Sequence, residues 1–390
     1  MRSFNYDIPT KVYFGEGKIK YLPELIHTFG TKVLLTYGGG SIKRNGIYDE
    51  VQELLKDCEI IELSGIDPNP RIETVREGAR LCKEHDIDVI LAVGGGSTID
   101  CSKVIAAAAK YDGDAWDLVM DGRLITDALP LVDILTLSAT GTEMNTNGVI
   151  TNFDVKLKKG TASYHTYPYA SILDPTYTYT VPANQTSAGT ADIMSHTLEN
   201  YFQEEDNAFI TDGLSETILR ACIKYLPMAL ENPESYEARS NLMWASTMAL
   251  NGLTSMGKGG GWTTHPIEHY LSAYYDITHA EGLAILTPRW MKYILSDKTV
   301  DRFVKYAQNV WNIEDSGDKF KMAEEAIEKT YQFFVDNGLP MTLPEVGIDS
   351  DEFFMEMAKG TEERLSRAYV PLNADDVVEI LNRCMTEGYN

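Results

Sequence analysis

Several residue types are scarce in this 390-residue chain, and each scarcity excludes a class of protein. The five cysteines are far apart and form no CxxC pair, which excludes a disulfide framework and a thiolate metal site. No run approaches the roughly 18 apolar residues that a membrane-spanning helix needs. The first fifteen residues also lack the apolar segment of a secretory signal. We therefore expect a cytoplasmic protein with no membrane partner.

Basic residues are few as well. The chain has 34 lysines and arginines against 58 aspartates and glutamates, a formal net charge of −24. Such a charge repels phosphate backbones, so nucleic acid is not an expected partner. The hydrophobic content of 44% is ordinary for a globular enzyme, which excludes a disordered or fibrous chain. The length is sufficient for two domains, each with its own core.

The first half of the chain alternates β-branched runs with helical patterns, which is typical of βαβ units and a parallel sheet. After Val181-Pro182 the apolar residues follow mostly a helical period. We predict an α/β domain over 1–183 and a mostly helical domain over 184–390. The predicted strands are 31–37, 60–63, 88–93, 131–137 and 170–173, the predicted helices are 41–56, 73–85 and 97–109, and a hairpin is predicted at 149–159.

One glycine turn, Gly94 to Ser97, follows a predicted strand and precedes a predicted helix. Glycines let backbone N–H groups approach a pyrophosphate, and the helix N-terminus carries partial positive charge. The spacing is not GxGxxG, and a tight turn without a ligand is the alternative. Ser97 is a candidate N-cap of the helix. Hydroxyls at the end of another strand, Ser138, Thr140 and Thr142, suit phosphate or nicotinamide contacts, or else cap that strand end.

A second glycine turn, Gly38 to Ser41, follows an earlier strand. Many dinucleotide enzymes place an acid here to accept a hydrogen bond from the adenosine ribose. In this chain Ser41, Lys43 and Arg44 follow the strand instead. Hydroxyl and cationic groups suit a 2′-phosphate, so this turn predicts NADP rather than NAD; the alternative is a solvated helix start.

Histidine is scarce, yet three of the seven lie close together at His265, His269 and His279. Earlier in the chain, Asp192 and His196 are four residues apart on a predicted helix and therefore share one face. One carboxylate with two or three imidazoles suits Fe²⁺ or Zn²⁺ with a position left open for substrate. The spacing does not choose among the three histidines, and hydrogen-bonded core histidines are the alternative.

Taken together, the motifs carry a more specific resemblance. The chain resembles the iron-containing (group III) alcohol dehydrogenases, most closely the butanol dehydrogenases, in the expected order from Pro9 to Leu381. The segments that carry this resemblance are GGGSTIDCSK at 94–103, SATGTE at 138–143, LDP and VP within 173–182, DIMSHTLE at 192–199 and GWTTHPIEHYLSAYYDITHAEGLAIL at 261–286.

The resemblance implies a dehydroquinate synthase-like fold. An N-terminal α/β domain with a Rossmann-like parallel sheet would bind the nucleotide, an all-α C-terminal domain would bind the metal, and the active site would lie in the cleft between them. It further implies reversible hydride transfer between a nicotinamide coenzyme and small primary alcohols or aldehydes such as butanol and butanal. The implied coenzyme is NADP, with NAD as the second choice, beside one Fe²⁺ or Zn²⁺ in a homodimer.

The family's functional residues fall on particular positions of this sequence. The metal ligands are Asp192, His196, His265 and His279, and His269 is the non-ligand histidine near the nicotinamide and a candidate proton relay. Asp100 is a candidate for orienting ribose or substrate, with a role in the helix dipole as the alternative. The implied coenzyme contacts are Gly38, Gly39, Ser41, Lys43, Gly95, Gly96, Ser97, Asp100, Thr136, Leu137, Thr140 and Lys159, of which Lys159 competes with the adjacent Lys158.

Two rival functions are open at this point. Lyases resembling dehydroquinate synthase also join a nucleotide domain to a metal-bearing helical domain, but they need extra basic residues for a phosphorylated, carboxylated substrate. The stretch 261–282 is apolar and aromatic where such residues are expected. A nucleotide-binding protein without catalysis is the other rival, and the intact set of four metal ligands argues against it.

Overall fold

The computed structural model describes residues 1–204 and 207–389, and within these ranges the chain forms a main sheet, a small hairpin sheet and many helices. The strands are β1 (Lys11–Phe14), β2 (Lys32–Tyr37), β3 (Glu59–Leu63), β4 (Val89–Gly94), β5 (Leu131–Leu135), β6 (Asn147–Asn152), β7 (Leu157–Ala162) and β8 (Ala170–Leu173). The helices are α1 (Leu22–His27), α2 (Ser41–Arg44), α3 (Ile47–Leu54), α4 (Ile72–Glu84), α5 (Gly96–Ala108), α6 (Ala115–Met120), α7 (Ala183–Tyr201), α8 (Phe209–Glu231), α9 (Tyr236–Ala249), α10 (Thr264–Tyr275), α11 (His279–Ile294), α12 (Val300–Trp311), α13 (Lys319–Asp336), α14 (Phe354–Leu365) and α15 (Ala374–Arg383).

Six parallel strands form the main sheet in the order β1-β8-β5-β4-β2-β3, while β6 and β7 pair as an antiparallel hairpin. Successive residues of a strand point to opposite faces, and both faces of this sheet are covered. Leu34 and Ile90 belong to the core on one face, whereas Val33 and Leu35 belong to the core on the other. Burial on both sides explains why these strands are continuous apolar runs in the sequence.

The carboxyl ends of the parallel strands bring the predicted nucleotide residues to one edge of the sheet. Tyr37 at the end of β2 is level with Val93 in β4, and Gly94 is level with Leu135 in β5. The N–H of Thr136 donates to Gly94 O over 3.0 Å. The turns after β2, β4 and β5 therefore lie side by side, where open α/β sheets bind ligands.

The chain folds into two compact units, each discontinuous in sequence. The first unit consists of 7–181 and 232–251, and the second of 1–6, 182–231 and the chain from Gly252 onward. The predicted division into 1–183 and 184–390 assumed two continuous segments. Helix α9 belongs to the first unit because Met243 packs in the sheet core and the Trp244 ring lies 5.7 Å from that of Phe14.

In the second unit the described elements are helices and short turns. Helix α7 is buried along most of its length, and α10, α11, α14 and α15 share an apolar core with residues such as Leu271, Ile285 and Leu381. This combination of a parallel-sheet unit and a helical unit confirms the predicted fold class. Among the helices that the structure describes, none is long and apolar enough to cross a membrane.

Two local predictions are wrong. The predicted helix over 41–56 is broken, because α2 ends at Arg44 and α3 begins after Gly46, whose φ of 84° favours glycine. Ser97 does not cap α5. That helix begins at Gly96 with Gly95 as its N-cap, and the Ser97 hydroxyl donates instead to the carbonyl of Pro68.

Candidate active site

Three buried helices position the predicted metal ligands. Asp192 and His196 share one face of α7, and His265 lies in the first turn of α10. Helix α10 ends at Tyr275, its C-cap Asp276 turns the chain with a φ of 54°, and α11 begins at His279. The turn thus brings His279 back toward Asp192, His196 and His265.

The side chains of Asp192, His265 and His279 converge, with their ligand atoms all within 4.8 Å of one another. Asp192 Oδ1 lies 3.7 Å from His265 Nε2 and 4.0 Å from His279 Nε2. His196 is outside this group of three, although its Nδ1 lies 3.5 Å from Asp192 Oδ1 and its ring stacks on that of His265. The structure therefore brings all four predicted ligands together around one carboxylate oxygen.

The donor set fits a divalent cation. In the described part of the chain, the buried atoms Asp192 Oδ1, His196 Nδ1 and His265 Nε2 have no hydrogen-bond partner. Buried polar atoms are rarely left unsatisfied, since each costs the free energy of its lost hydration. One carboxylate oxygen and imidazole nitrogens are ligands that Fe²⁺ and Zn²⁺ accept. A metal at this point would satisfy these atoms together.

A fully buried glutamate, Glu199, orients His265 from behind. Its carboxylate accepts hydrogen bonds from the N–H of Thr263 (2.6 Å), the hydroxyl of Thr264 (2.7 Å) and the N–H of His265 (2.9 Å). His265 Nδ1 lies 3.2 Å from the same carboxylate. In the neutral ring the proton is held on Nδ1, so the lone pair of Nε2 faces Asp192.

A second buried glutamate, Glu268, does the same for His279. Its carboxylate is in contact with His279 Nδ1 and accepts a hydrogen bond from the hydroxyl of Ser272. Sequence reasoning missed both glutamates, yet a signal was present. Each lies three residues after a predicted ligand, Glu199 after His196 and Glu268 after His265, but each contacts the next ligand along the chain.

The electrostatics prepare the site for a cation. Burial opposes ionisation of Asp192, but the surrounding imidazoles lower its pKa to about 2. Burial lowers the pKa of His196 to about 4, so this ring is neutral at pH 7. Burial also disfavours charge on His265, yet Asp192 and Glu199 raise its pKa to about 9. A metal must therefore displace a proton from His265, which makes metal affinity dependent on pH.

His269, the predicted non-ligand histidine, lies beside the cluster. Its ring centroid is 5.5 Å from that of His279 and 6.5 Å from that of His265. Its ligand atom groups with those of Glu268 and His279 rather than with Asp192. The ring is half-buried. His269 is thus adjacent to the four predicted ligands without sharing their carboxylate.

Most of the predicted nucleotide residues of the first unit meet at the start of α5. A Cβ at Gly95 would lie 3.1 Å from Leu137 Cβ, and one at Gly96 would collide with the Thr140 side chain. No side chain caps α5, so its first N–H groups are available to an anion. The absence of side chains at Gly95 and Gly96 lets the turn after β5 approach this helix end.

Asp100, predicted as a catalytic and coenzyme residue, is held by internal contacts. The carboxylate is buried and accepts hydrogen bonds from the Thr142 hydroxyl and from the N–H of Val149 at 3.0 Å. Burial raises its pKa, partly offset by the ammonium of Lys103. These contacts hold the segment after β5 against α5. A direct role in catalysis stays a prediction.

The two lysines of the LKKG segment differ in their surroundings. Lys159 Nζ donates to the carbonyl of Met120 at 2.9 Å, on the exposed side of β7. Lys158 is buried and donates to Asn69 Oδ1 at 3.0 Å. Its charge also lowers the pKa of Asp100. Lys158, the alternative in the sequence, is therefore the lysine whose charge acts on Asp100 in α5.

An acid that the sequence did not reveal lies beside the turn after β2. Ser41 is exposed as the first residue of α2, and Lys43 Nζ lies 3.6 Å from Glu62 Oε2. Glu62 belongs to β3, the neighbouring strand, where it is level with Leu35 of β2. An acid does therefore lie beside this turn, but on the next strand rather than directly after β2.

Comparison with known proteins agrees with this site. The model of the iron-containing alcohol dehydrogenase family matches residues 9–175, and that of the Fe-containing alcohol dehydrogenase family, C-terminal, matches 186–385. The chain is 54% identical to NADH-dependent butanol dehydrogenase A of Clostridium acetobutylicum over 98% of this chain and all of that protein. It is 40% identical to the NADPH-dependent aldehyde reductase YqhD of Escherichia coli, over 90% of each chain.

Solved structures lead to the same family. The crystal structure of NADH-dependent butanol dehydrogenase A from Thermotoga maritima superposes with a TM-score of 0.93 at 39% identity, covering 99% of both chains. The family models span both halves of the chain, which excludes the lyase and the non-catalytic rival. The converging aspartate and histidines, the paired glycine turns and these matches together show that the chain belongs to the iron-containing alcohol dehydrogenases, enzymes that interconvert alcohols and aldehydes.

Proposed function

We propose that this enzyme transfers hydride reversibly between a nicotinamide coenzyme, NADP(H) or NAD(H), and small primary alcohols or aldehydes, with butanol and butanal as reference substrates. The observation that carries the proposal is the convergence of Asp192, His196, His265 and His279 with three buried atoms left without a hydrogen-bond partner in the described chain. The names of the two relatives support the substrate class and both coenzymes.

Each group of residues has a role in this proposal. Asp192, His196, His265 and His279 hold the divalent ion, which when bound supplies Lewis acidity toward the substrate oxygen. Glu199 and Glu268 fix the rings of His265 and His279. The glycine turn at the start of α5 holds the pyrophosphate of the coenzyme, which carries the hydride.

His269 is proposed to relay the proton between substrate and solvent. Its half-buried ring lies beside His279, and a neutral imidazole can both accept and donate a proton near pH 7. In this proposal His269→Ala retains the metal and changes the pH profile of kcat/KM. An unchanged profile would assign His269 a structural role only.

The assay that tests the proposal follows coenzyme oxidation with butanal by protein loaded with Fe²⁺ or Zn²⁺. We expect turnover with at least one of NADH and NADPH, its loss on chelation and its recovery on adding metal. His279→Ala should lose both bound metal and activity, whereas His165→Ala, which changes an exposed histidine, should keep both. Metal-loaded protein that reduces no aldehyde with either coenzyme would refute the proposed reaction.

Further parts of the proposal concern organisation. We propose a cytoplasmic homodimer that takes either Fe²⁺ or Zn²⁺, and a boundary near residue 183 between a nucleotide-binding and a metal-binding domain. The resemblance supports the dimer. The two family models support the boundary, because the first ends at residue 175 and the second begins at residue 186. Light scattering of the purified enzyme measures its oligomeric state, and analysis of its metal content identifies the bound ion. A monomer in solution would contradict the assembly.

A further inference from the structure

We propose that Glu62 sets the coenzyme preference of this enzyme by acting as the fixed counter-ion of Lys43. The inference rests on the proposed coenzyme site at the two glycine turns. Lys43, with Arg44 next to it, is a cation that would bind a 2′-phosphate, the only group that distinguishes NADP from NAD. A carboxylate beside that cation weakens its attraction for the phosphate and repels the phosphate directly.

The carboxylate of Glu62 is held in place by three partners. The hydroxyl of Tyr37 donates to Oε2 and that of Tyr48 donates to Oε1, each at 2.6 Å. Lys43 Nζ lies 3.6 Å from Oε2 and also stands over the Tyr48 ring, 4.3 Å from its centroid. Tyr37 is buried and therefore rigid. Glu62 is a fixed negative charge rather than a mobile surface side chain.

Glu62 is ionised at neutral pH. Its partial burial raises the pKa of the carboxyl, but the Tyr37 and Tyr48 hydroxyls and the Lys43 ammonium outweigh this and lower it. The side chain of Lys43 is 47% exposed and that of Glu62 34%. A ligand can therefore reach both charges, which together carry no net charge.

The position of this pair fits the adenosine end of a dinucleotide. Strand β2 lies between β4 and β3, so the turn after β2 separates the start of α5 from Glu62. A Cβ at Gly38 would lie 3.9 Å from Thr98 Oγ1, in the first turn of α5. A pyrophosphate at α5 places the attached ribose near the next turn along the sheet edge, where Gly39, Ser41 and Lys43 lie.

The consequence differs from the sequence prediction of NADP, which considered Ser41, Lys43 and Arg44 but not Glu62. With Glu62 ionised, the charge of Lys43 is neutralised and the turn attracts a 2′-phosphate less strongly, so NADH is accepted alongside NADPH. Removing the carboxylate should therefore favour NADPH. The ratio of kcat/KM for NADPH to kcat/KM for NADH should rise about fivefold in Glu62→Gln, the scale of a partly exposed ion pair.

Two further variants define the mechanism. Glu59→Gln, which removes an exposed carboxylate from the same strand, should leave the ratio unchanged. In a Lys43→Met background the added Glu62→Gln change should have a smaller effect, because the cation that Glu62 neutralises is already gone. The proposal would be overturned if the NADPH-to-NADH ratio of kcat/KM in Glu62→Gln lay within about twofold of the ratio in the unaltered enzyme.

A binding measurement separates this inference from the proposed function. Adenosine 2′,5′-bisphosphate and AMP differ by the 2′-phosphate, and calorimetry with metal-free protein measures their affinities without catalysis. The bisphosphate should gain affinity over AMP in Glu62→Gln, and higher salt should reduce that gain. If both probes bind but the substitution leaves their ratio unchanged, the role of Glu62 fails and the proposed function stands. If neither binds, the coenzyme site itself is wrong, and the inference falls with it.

Discussion

At the scale of single residues, two buried glutamates decide which histidine nitrogens face Asp192. A neutral imidazole has one donor and one acceptor nitrogen, and a carboxylate at Nδ1 keeps the proton there. Glu199 does this for His265 and Glu268 for His279. Both carboxylates are fully buried. Burial raises the pKa of Glu199, but its contact with His265 outweighs this and lowers the pKa. The metal site therefore depends on side chains that do not touch the metal.

The first prediction concerns Glu199→Gln. The substitution keeps the volume but removes the charge that holds His265, so we expect metal affinity to fall about 10- to 100-fold. Competition with a chromophoric chelator measures this affinity without any turnover. Glu325→Gln, on the exposed side of α13, is the matched control and should bind metal normally. Equal affinities in the two variants would show that Glu199 does not position the ring.

The sequence predicted the four converging side chains but not their partners, for a physical reason. Spacing of four residues places Asp192 and His196 on one helix face, so that pair is readable locally. The contact from Glu199 to His265 spans 66 residues, and no periodicity encodes it. Glu62 was missed in the same way, because the pairing of β3 with β2, and not local spacing, puts it beside Lys43.

At the scale of elements, the packing of α11 against α10 holds the last ligand. The two helices approach closely at Gly282, where a Cβ would lie 2.9 Å from Glu268 Cγ and 3.0 Å from Ile277 Cδ1. Glu268 in turn holds His279 at the start of α11. A side chain at position 282 would therefore move the carboxylate that orients the ligand, so helix packing and metal binding are coupled here.

The second prediction compares two helical glycines. Gly282→Ala should destabilise the protein by about 1–3 kcal/mol through overpacking and should also weaken metal binding. Gly213→Ala in α8, where a Cβ would meet nothing within 4 Å, should stabilise it by about 0.5–1 kcal/mol because alanine is the better helix former. Urea unfolding measures both changes. Stabilisation by Gly282→Ala would disprove the tight contact.

Elements were predicted where their pattern was strong. The buried strands β2, β4 and β5 were read correctly because both sheet faces are covered and the runs are apolar. The break at Gly46 was missed, since a glycine inside a helical pattern does not reveal its φ angle. The membership of α9 was also missed, because an amphipathic pattern shows that a helix is buried but not against which unit.

At the scale of the whole molecule, this acidic protein has a lysine ammonium with a lowered pKa buried in each of its two units. In the first unit Lys103 donates to surrounding oxygens such as Thr142 O (2.6 Å) and Asn147 O (2.9 Å). In the second, Lys258 contacts Asp212 at 2.5 Å and donates to Asn200 O at 3.0 Å. Burial lowers the pKa of each ammonium to about 8. Keeping each buried ammonium charged therefore lowers the free energy of unfolding at neutral pH.

The last prediction is that Lys258 makes stability rise with pH above about 8. Its pKa is about 8 in the folded protein and 10.5 in the unfolded chain, so between these values the unfolded state binds the extra proton. Stability therefore increases across this window, and below about pH 8 the full cost is present. Lys258→Met should abolish about 1–2 kcal/mol of the rise between roughly pH 8 and 9.5, a range that stops short of tyrosine ionisation. The Arg302–Asp212 pair remains in this variant, so no buried acid loses its last cation.

Urea unfolding of metal-free protein measures the rise, with exposed Lys298→Met as the control. Because growing negative charge acts on both variants alike, the difference between them isolates Lys258, and parallel curves would mean that its ammonium is not destabilised by burial.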